Sequence, residues 1–172
     1  MNQGKEFENA IKKSIPDYCL LYRLPDAAQS FHRSKNLRFS RKNPFDYILW
    51  DSKHHVLYAL ELKTKDKKSI SFERTKDDKG DIHLHQINGL NEWSAYDGVV
   101  AGFIIEFREI ETTIFLGIQD FIKLSNALNK KSFTIKDLEM NETPYFVIPQ
   151  HKLRTQYRYD IDFFMRRGKK DE

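Results

Sequence analysis

The sequence has a single cysteine, Cys19. One thiol cannot close an intramolecular disulfide, and no cluster of Cys and His stands near it to complete a tetrahedral zinc set. Its place in the apolar run Tyr18 to Leu21 is that of a buried structural thiol rather than a nucleophile. No hydrophobic run approaches the length of a bilayer span, and the opening residues Met1 to Lys13 are polar and helix-forming, unlike a secretory signal. The expectation is a reducing, cytoplasmic setting without a membrane. Internal repeats, the G-x-S-x-G of serine hydrolases, the phosphate-binding P-loop and G-x-G-x-x-G are missing as well, which removes support from hydrolase triads and nucleotide-binding folds.

What is present is one domain's worth of chain. Its 172 residues are 40% hydrophobic and 31% charged, with thirteen Phe and eight Tyr, a composition that buries a core. The formal charge of +4 permits a polyanionic partner. Its distribution says more: Arg33, Lys35, Arg38, Arg41 and Lys42 follow one another without an acidic residue, with Phe31 and Phe39 between them. Such a mixture suits phosphate contacts and stacking on exposed bases, although a solvated loop has the same composition.

Periodicity and turn signals divide the chain. Asn2 to Ser14 carries Phe7, Ala10 and Ile11 at helical spacing and stops before Pro16. A first strand is expected over Tyr18 to Leu24, then a basic arm at about 25–44. Two apolar runs, Phe45 to Trp50 and Val56 to Lys63, form a hairpin whose loop holds His54 and His55, both expected in solvent. A helix over Leu84 to Tyr96, strands over Gly98 to Phe107 and Thr112 to Ile118, a helix over Gln119 to Leu128 and a short strand at Tyr145 to Pro149 complete the order. This predicts an α/β (mixed α+β) domain over residues 1–165, a central mixed sheet flanked by helices, with a frayed basic tail at 166–172.

The charges inside the hairpin are the most informative feature. Asp46 interrupts one apolar strand and Glu61 the other, and Lys63, two residues on, shares the face of Glu61. Carboxylates on a mostly buried sheet are unfavourable unless a cation compensates them. Mg2+, with Mn2+ as an alternative, suits hard oxygen ligands from one or two carboxylates and keeps positions for water and phosphate. Asp46, Glu61 and the carbonyl of Leu62 would supply the protein ligands, and Lys63 would stand beside the attacking water. The alternative is a surface Glu–Lys pair on an edge strand with Asp46 as a turn residue, because E-x-K by itself is a frequent chance match. Lys65, Lys67 and Lys68 lie just beyond and are candidate phosphate contacts, Lys65 first. His83 and His85 lack the further ligands of a zinc site.

These residues resemble the PD-(D/E)xK nucleases, and within them the RecU-type Holliday-junction resolvases. Asn2, Gly4, Phe7 and Glu8 look like the family's N-x-G-x-x-[LF]-E opening, and Asn43-Pro44-Phe45-Asp46 like the segment of its first catalytic aspartate. Glu61-Leu62-Lys63 looks like its E-x-K, and His83-Leu84-His85-Gln86-Ile87 like the H-x-H-Q-I opening its next helix. The resemblance runs from residue 2 to about residue 120. It implies a restriction-endonuclease-like core, metal on Asp46 and Glu61, water assisted by Lys63, Gln86 positioning water or phosphate, and Glu8 near the metal. It further implies a homodimer that cuts four-way DNA junctions in recombination and repair. Pro25 to Asn43 is shorter than the family's arm, so other branched or linear DNA is an alternative substrate; a DNA-binding accessory protein that has lost the chemistry is another reading.

Overall fold

The structure, a computed structural model, describes residues 2–25, 43–154 and 156–167. Helix α1 (Gln3–Ser14) begins where the Asn2 side chain accepts the Gly4 N–H at 3.1 Å. Glu6 in its first turn and Lys12 and Lys13 in its last complement the helix dipole. Strands β1 (Cys19–Arg23), β2 (Tyr47–Asp51) and β3 (Val56–Lys65) follow, then the short β4 (Ser69–Ser71), helix α2 (Leu84–Trp93) and β5 (Val99–Phe107). A 3-10 turn at Arg108–Ile110 leads into β6 (Thr112–Gly117) and α3 (Ile118–Ala127). The C-terminal part adds β7 (Ser132–Thr134), α4 (Ile135–Met140), β8 (Phe146–Ile148), β9 (Gln150–Lys152), β10 (Tyr157–Tyr159) and α5 (Ile161–Arg167).

Six strands form one sheet in the order β1-β2-β3-β5-β6-β8. Only β3 and β5 are parallel, from Leu57↔Val99 to Lys65↔Phe107, because the chain returns through α2 between them; the other pairs are antiparallel. The expected mixed sheet flanked by helices is therefore present. Two small ribbons, β4 with β7 and β9 with β10, stand outside it.

Both sheet faces are covered, and alternation along each strand assigns its residues. Ala59, Ala101, Phe103, Ile105, Ile114 and Leu116 pack with Leu90 of α2 and Phe121 and Leu124 of α3. Tyr58, Leu60, Leu62, Ile104 and Phe115 pack on the other face with Phe7 and Ile11 of α1 and Phe164 and Met165 of α5. A buried aromatic side chain of this kind contributes about 2–3 kcal/mol over exposure. Strand alternation puts Glu61 and Lys63 on the Ala59 face, toward α2.

Three expectations are corrected. Residues 166 and 167 lie within α5, where the Arg166 guanidinium meets Asp162 one turn earlier at 2.6 Å, so the tail does not begin at Arg166; residues 168–172 lie outside the described residues. His54 is not solvated: its Nδ1 donates to the fully buried Asp51 at 2.6 Å. Cys19 is half-buried, with its sulfur 3.8 Å from that of Met165, and burial pushes its thiol up to about 11.

Candidate active site

The site is set by where the hairpin ladder stops. Pairing of β2 with β3 runs from Asp51↔Val56 to Tyr47↔Leu60, and one further step along the same register sets Asp46 opposite Glu61. Asp46 is half-buried and tied to the sheet by its carbonyl, which accepts the Leu24 N–H at 2.8 Å. Pro44, two residues earlier, lies against Gly89 of α2. A Cβ built on Gly89 would fall 2.3 Å from the Pro44 Cβ and 2.7 Å from its carbonyl oxygen, so only glycine lets the helix and the Asp46 segment meet.

Glu61 is 2% exposed, and its Oε1 is crowded with donors: Lys63 Nζ at 3.1 Å and Gln86 Nε2 at 2.5 Å. Among the described residues, its buried Oε2 meets no N–H or hydroxyl donor, and the Asp46 carboxyl is the group that shares its space. Burial, the largest cause, and the facing Asp46 carboxyl push Glu61 up to about 8, against the opposing pull of Lys63. Asp46 is also raised, first by burial; a proton held on Glu61 and the charge of Lys63 offset part of that. Among the described residues, two carboxyls thus share one confined space with the Lys63 ammonium, while Arg23 acts on Asp46 by charge without bonding to it.

Each expected residue has a definite place. Asp46, Glu61, Lys63 and Gln86 come together. Leu62 is buried on the opposite face, and its backbone lies two residues past the last β2 pairing. Glu8 reaches in from α1 on that opposite face; it accepts the Tyr47 hydroxyl at 2.7 Å and lies 3.9 Å from Arg23, near enough to raise Asp46 by charge alone. Lys65 pairs with Asp81 at 2.8 Å. Arg33, Lys35, Arg38, Arg41 and Lys42 fall outside the described residues.

The donors fit a hard divalent cation. A buried carboxylate oxygen facing a second carboxylate offers the hard oxygen donors a Mg2+ ion seeks. Among the described residues no group of three or more His, Cys, Asp or Glu gathers around one point, so the protein share would be two carboxylates with backbone and water completing the shell.

Sequence reasoning missed the support behind Gln86. The backbone N–H of His83 donates to Gln86 Oε1 at 2.9 Å, the His83 ring donates from Nδ1 to Glu73 at 2.8 Å, and the other Glu73 oxygen accepts the Leu84 N–H at 2.9 Å. The nine residues between Glu73 and His83 hid the pairing. A cleft of about 580 Å3 between α1 and the β9–β10 ribbon, lined by Glu6, Arg108, Lys152 and Tyr157 among others, is separate: Asp46, Glu61 and Lys63 do not line it.

Fold and site define the chain as a mixed-sheet α/β protein with two carboxylates and a lysine at the end of a central hairpin. No family model matches it. The SPbeta prophage-derived uncharacterized protein YotM of Bacillus subtilis (strain 168) is 36% identical to it over 132 residues, 76% of this chain and 63% of that relative. The chain therefore spans just under two thirds of the relative's length. Among solved structures it is similar to Archaeoglobus fulgidus Hjc, a Holliday junction resolvase from an archaeal hyperthermophile, at 12% identity and a TM-score of 0.48, over 80% of this chain and 93% of that one. Among the described residues, no helix is long and apolar enough to cross a membrane.

Proposed function

We propose that this chain is a divalent-metal-dependent DNA endonuclease of the PD-(D/E)xK type, acting as a homodimer on four-way junctions or similar branched DNA. One observation carries the reading: among the described residues, Glu61 holds a buried carboxyl oxygen that faces the Asp46 carboxyl and no N–H or hydroxyl donor, with Lys63 on the same group. A fold gains no stability from that arrangement, and a metal site accounts for it. The motif order around it, from Asn2 to Ile87, supports the nuclease class and the junction as substrate.

Asp46, Glu61 and the Leu62 carbonyl would hold Mg2+ or Mn2+. When bound, the ion would polarise the scissile phosphate and lower the pKa of a coordinated water. Gln86 keeps the Glu61 carboxylate turned toward Asp46, which fixes where an ion and its water can sit. Lys63, an ammonium beside that carboxylate, orients the attacking water and meets the negative charge that grows on the phosphate oxygens. Arg33, Lys35, Arg38, Arg41, Lys42 and Lys65 would bind flanking phosphates, Lys65 after releasing Asp81.

The test is cleavage of a synthetic four-way junction beside linear duplex and single-stranded DNA, in Mg2+ or EDTA, by wild type, Asp46→Ala and Lys63→Ala. Paired, metal-dependent nicks confined to the junction and lost in both variants are expected. Cutting of every substrate would reduce the reading to a general nuclease, and binding without cleavage would replace it with the accessory protein.

A further inference from the structure

The chemistry assigned so far serves the attacking water and the phosphate; the oxygen that leaves still needs a proton. The described residues near Glu61 offer one arrangement suited to giving it. His83 stands at the start of α2 with 45% of its side chain exposed, and its ring stacks on that of His85, 5.6 Å between centroids and 14° from parallel. Its Nδ1 faces Glu73 Oε1 at 2.8 Å. Glu73 is held from three sides: Oε2 takes the Leu84 N–H at 2.9 Å, and its own N–H donates to the Ile82 carbonyl at 2.9 Å. The hydrogen bond from His83 is the largest cause keeping Glu73 below the usual carboxylate range, so Glu73 is an acceptor and the proton between them belongs to Nδ1. That fixes the tautomer, and it leaves Nε2 as the atom of the ring that exchanges protons with anything outside.

The pair is wired to the site. From the His83 backbone to the Glu61 carboxylate there are two hydrogen bonds and one amide group, that of Gln86, at 2.9 Å and 2.5 Å. Lys63 occupies the same Glu61 oxygen from the strand, so Lys63 and the residue that bears the imidazole are tied to Glu61 through different elements, β3 and the start of α2. A nucleophile on one side and a leaving group on the other is what in-line displacement at phosphorus requires.

We infer that His83, oriented by Glu73, is the general acid that protonates the departing bridging oxygen, an inference that rests on the nuclease reading above. As the water oxygen bonds to phosphorus, the bond from phosphorus to the bridging oxygen breaks. The imidazolium gives its Nε2 proton to that oxygen, the proton lost by the attacking water passes to solvent, and His83 regains its own from solvent. Glu73 is a positioning residue: its carboxylate holds Nδ1 and so leaves Nε2 as the nitrogen that faces outward.

The test uses a DNA substrate with sulfur in place of the leaving bridging oxygen, the position being identified from the ends of the wild-type products. A thiolate leaves without a proton. His83→Ala is expected to slow cleavage of the oxygen substrate about 10²-fold or more and to cut the sulfur substrate at close to the wild-type rate. In 15N-labelled protein free of metal, the neutral His83 ring is expected as the Nδ1–H tautomer, and Glu73→Gln, which retains an oxygen for Leu84, is expected to redistribute it. Equal losses on both substrates, or no loss on either, would overturn the inference while leaving the nuclease reading intact. An Nε2–H tautomer in wild type would overturn it independently of activity. Failure of the wild type to cut any DNA in Mg2+ would remove the reading on which it rests.

Discussion

Burying a carboxyl group against a second one is a cost that Glu61 imposes on the fold. Glutamine has the same shape, so Glu61→Gln removes the charge and keeps the Gln86 contact within reach. We expect a stability gain of about 1–3 kcal/mol in EDTA, read as a higher Tm, together with loss of metal-dependent cleavage. A lower Tm would mean that Glu61 stabilises the fold and would remove the observation that carries the proposed function. Asp51 is the opposite case, although it too is buried: burial raises its pKa, but the His54 ring and the backbone N–H groups of His54 and Lys53 outweigh that and lower it overall. A depressed carboxyl contributes stability above its unfolded value, near pH 3.9, and loses it as the pH falls through the folded value. Asp51→Asn should therefore cost about 1–3 kcal/mol at pH 7 and progressively less below pH 4, measured by urea unfolding across that range. A penalty independent of pH would show that charge is not what the hairpin loop uses.

At the scale of elements, the site depends on how closely α2 approaches the segment that carries Asp46. In an exposed helix, Gly→Ala stabilises by about 1 kcal/mol. At Gly89 the sign reverses, because the new methyl would meet the Pro44 ring and carbonyl, and neither is the far end of a flexible side chain. Gly89→Ala is expected to destabilise by about 1–3 kcal/mol and to lower cleavage by displacing Asp46 from Glu61. Circular dichroism melts and the junction assay read the two effects separately; a stabilised, fully active variant would show that the Pro44 contact does not position the site. The helix also presents Gln86 and His83 from its first turn, which makes it the element most concerned with the site although it holds neither carboxylate.

For the whole molecule, the proposed cutting of two opposed strands of a junction would require two copies of the site. Sedimentation equilibrium is expected to give twice the 20.5 kDa chain mass. A monomer that still makes paired cuts would separate junction cleavage from the dimer. Among the described residues, β1 forms one edge of the sheet and exposes Leu20 and Tyr22, which puts apolar surface at that edge.

By itself the sequence determined the sheet-forming runs, the hairpin and the pairing of unexpected charges within it, since strand alternation is local and residues two apart in a strand, such as Glu61 and Lys63, share a face. Glu61, Lys63 and Asp46 were legible for that reason. Elements after residue 130 were mostly not: β7, β9 and β10 are three residues each, and α4 is six, too short for a period to register. Only tertiary structure decided that Asp46 and Glu61 face each other past the end of their ladder, that Glu8 lies across the sheet from them, and that Lys65 is held by Asp81. It also joined Glu73 to His83 and His83, through Gln86, to Glu61, because such contacts depend on how a helix packs on a sheet rather than on the spacing of residues along the chain.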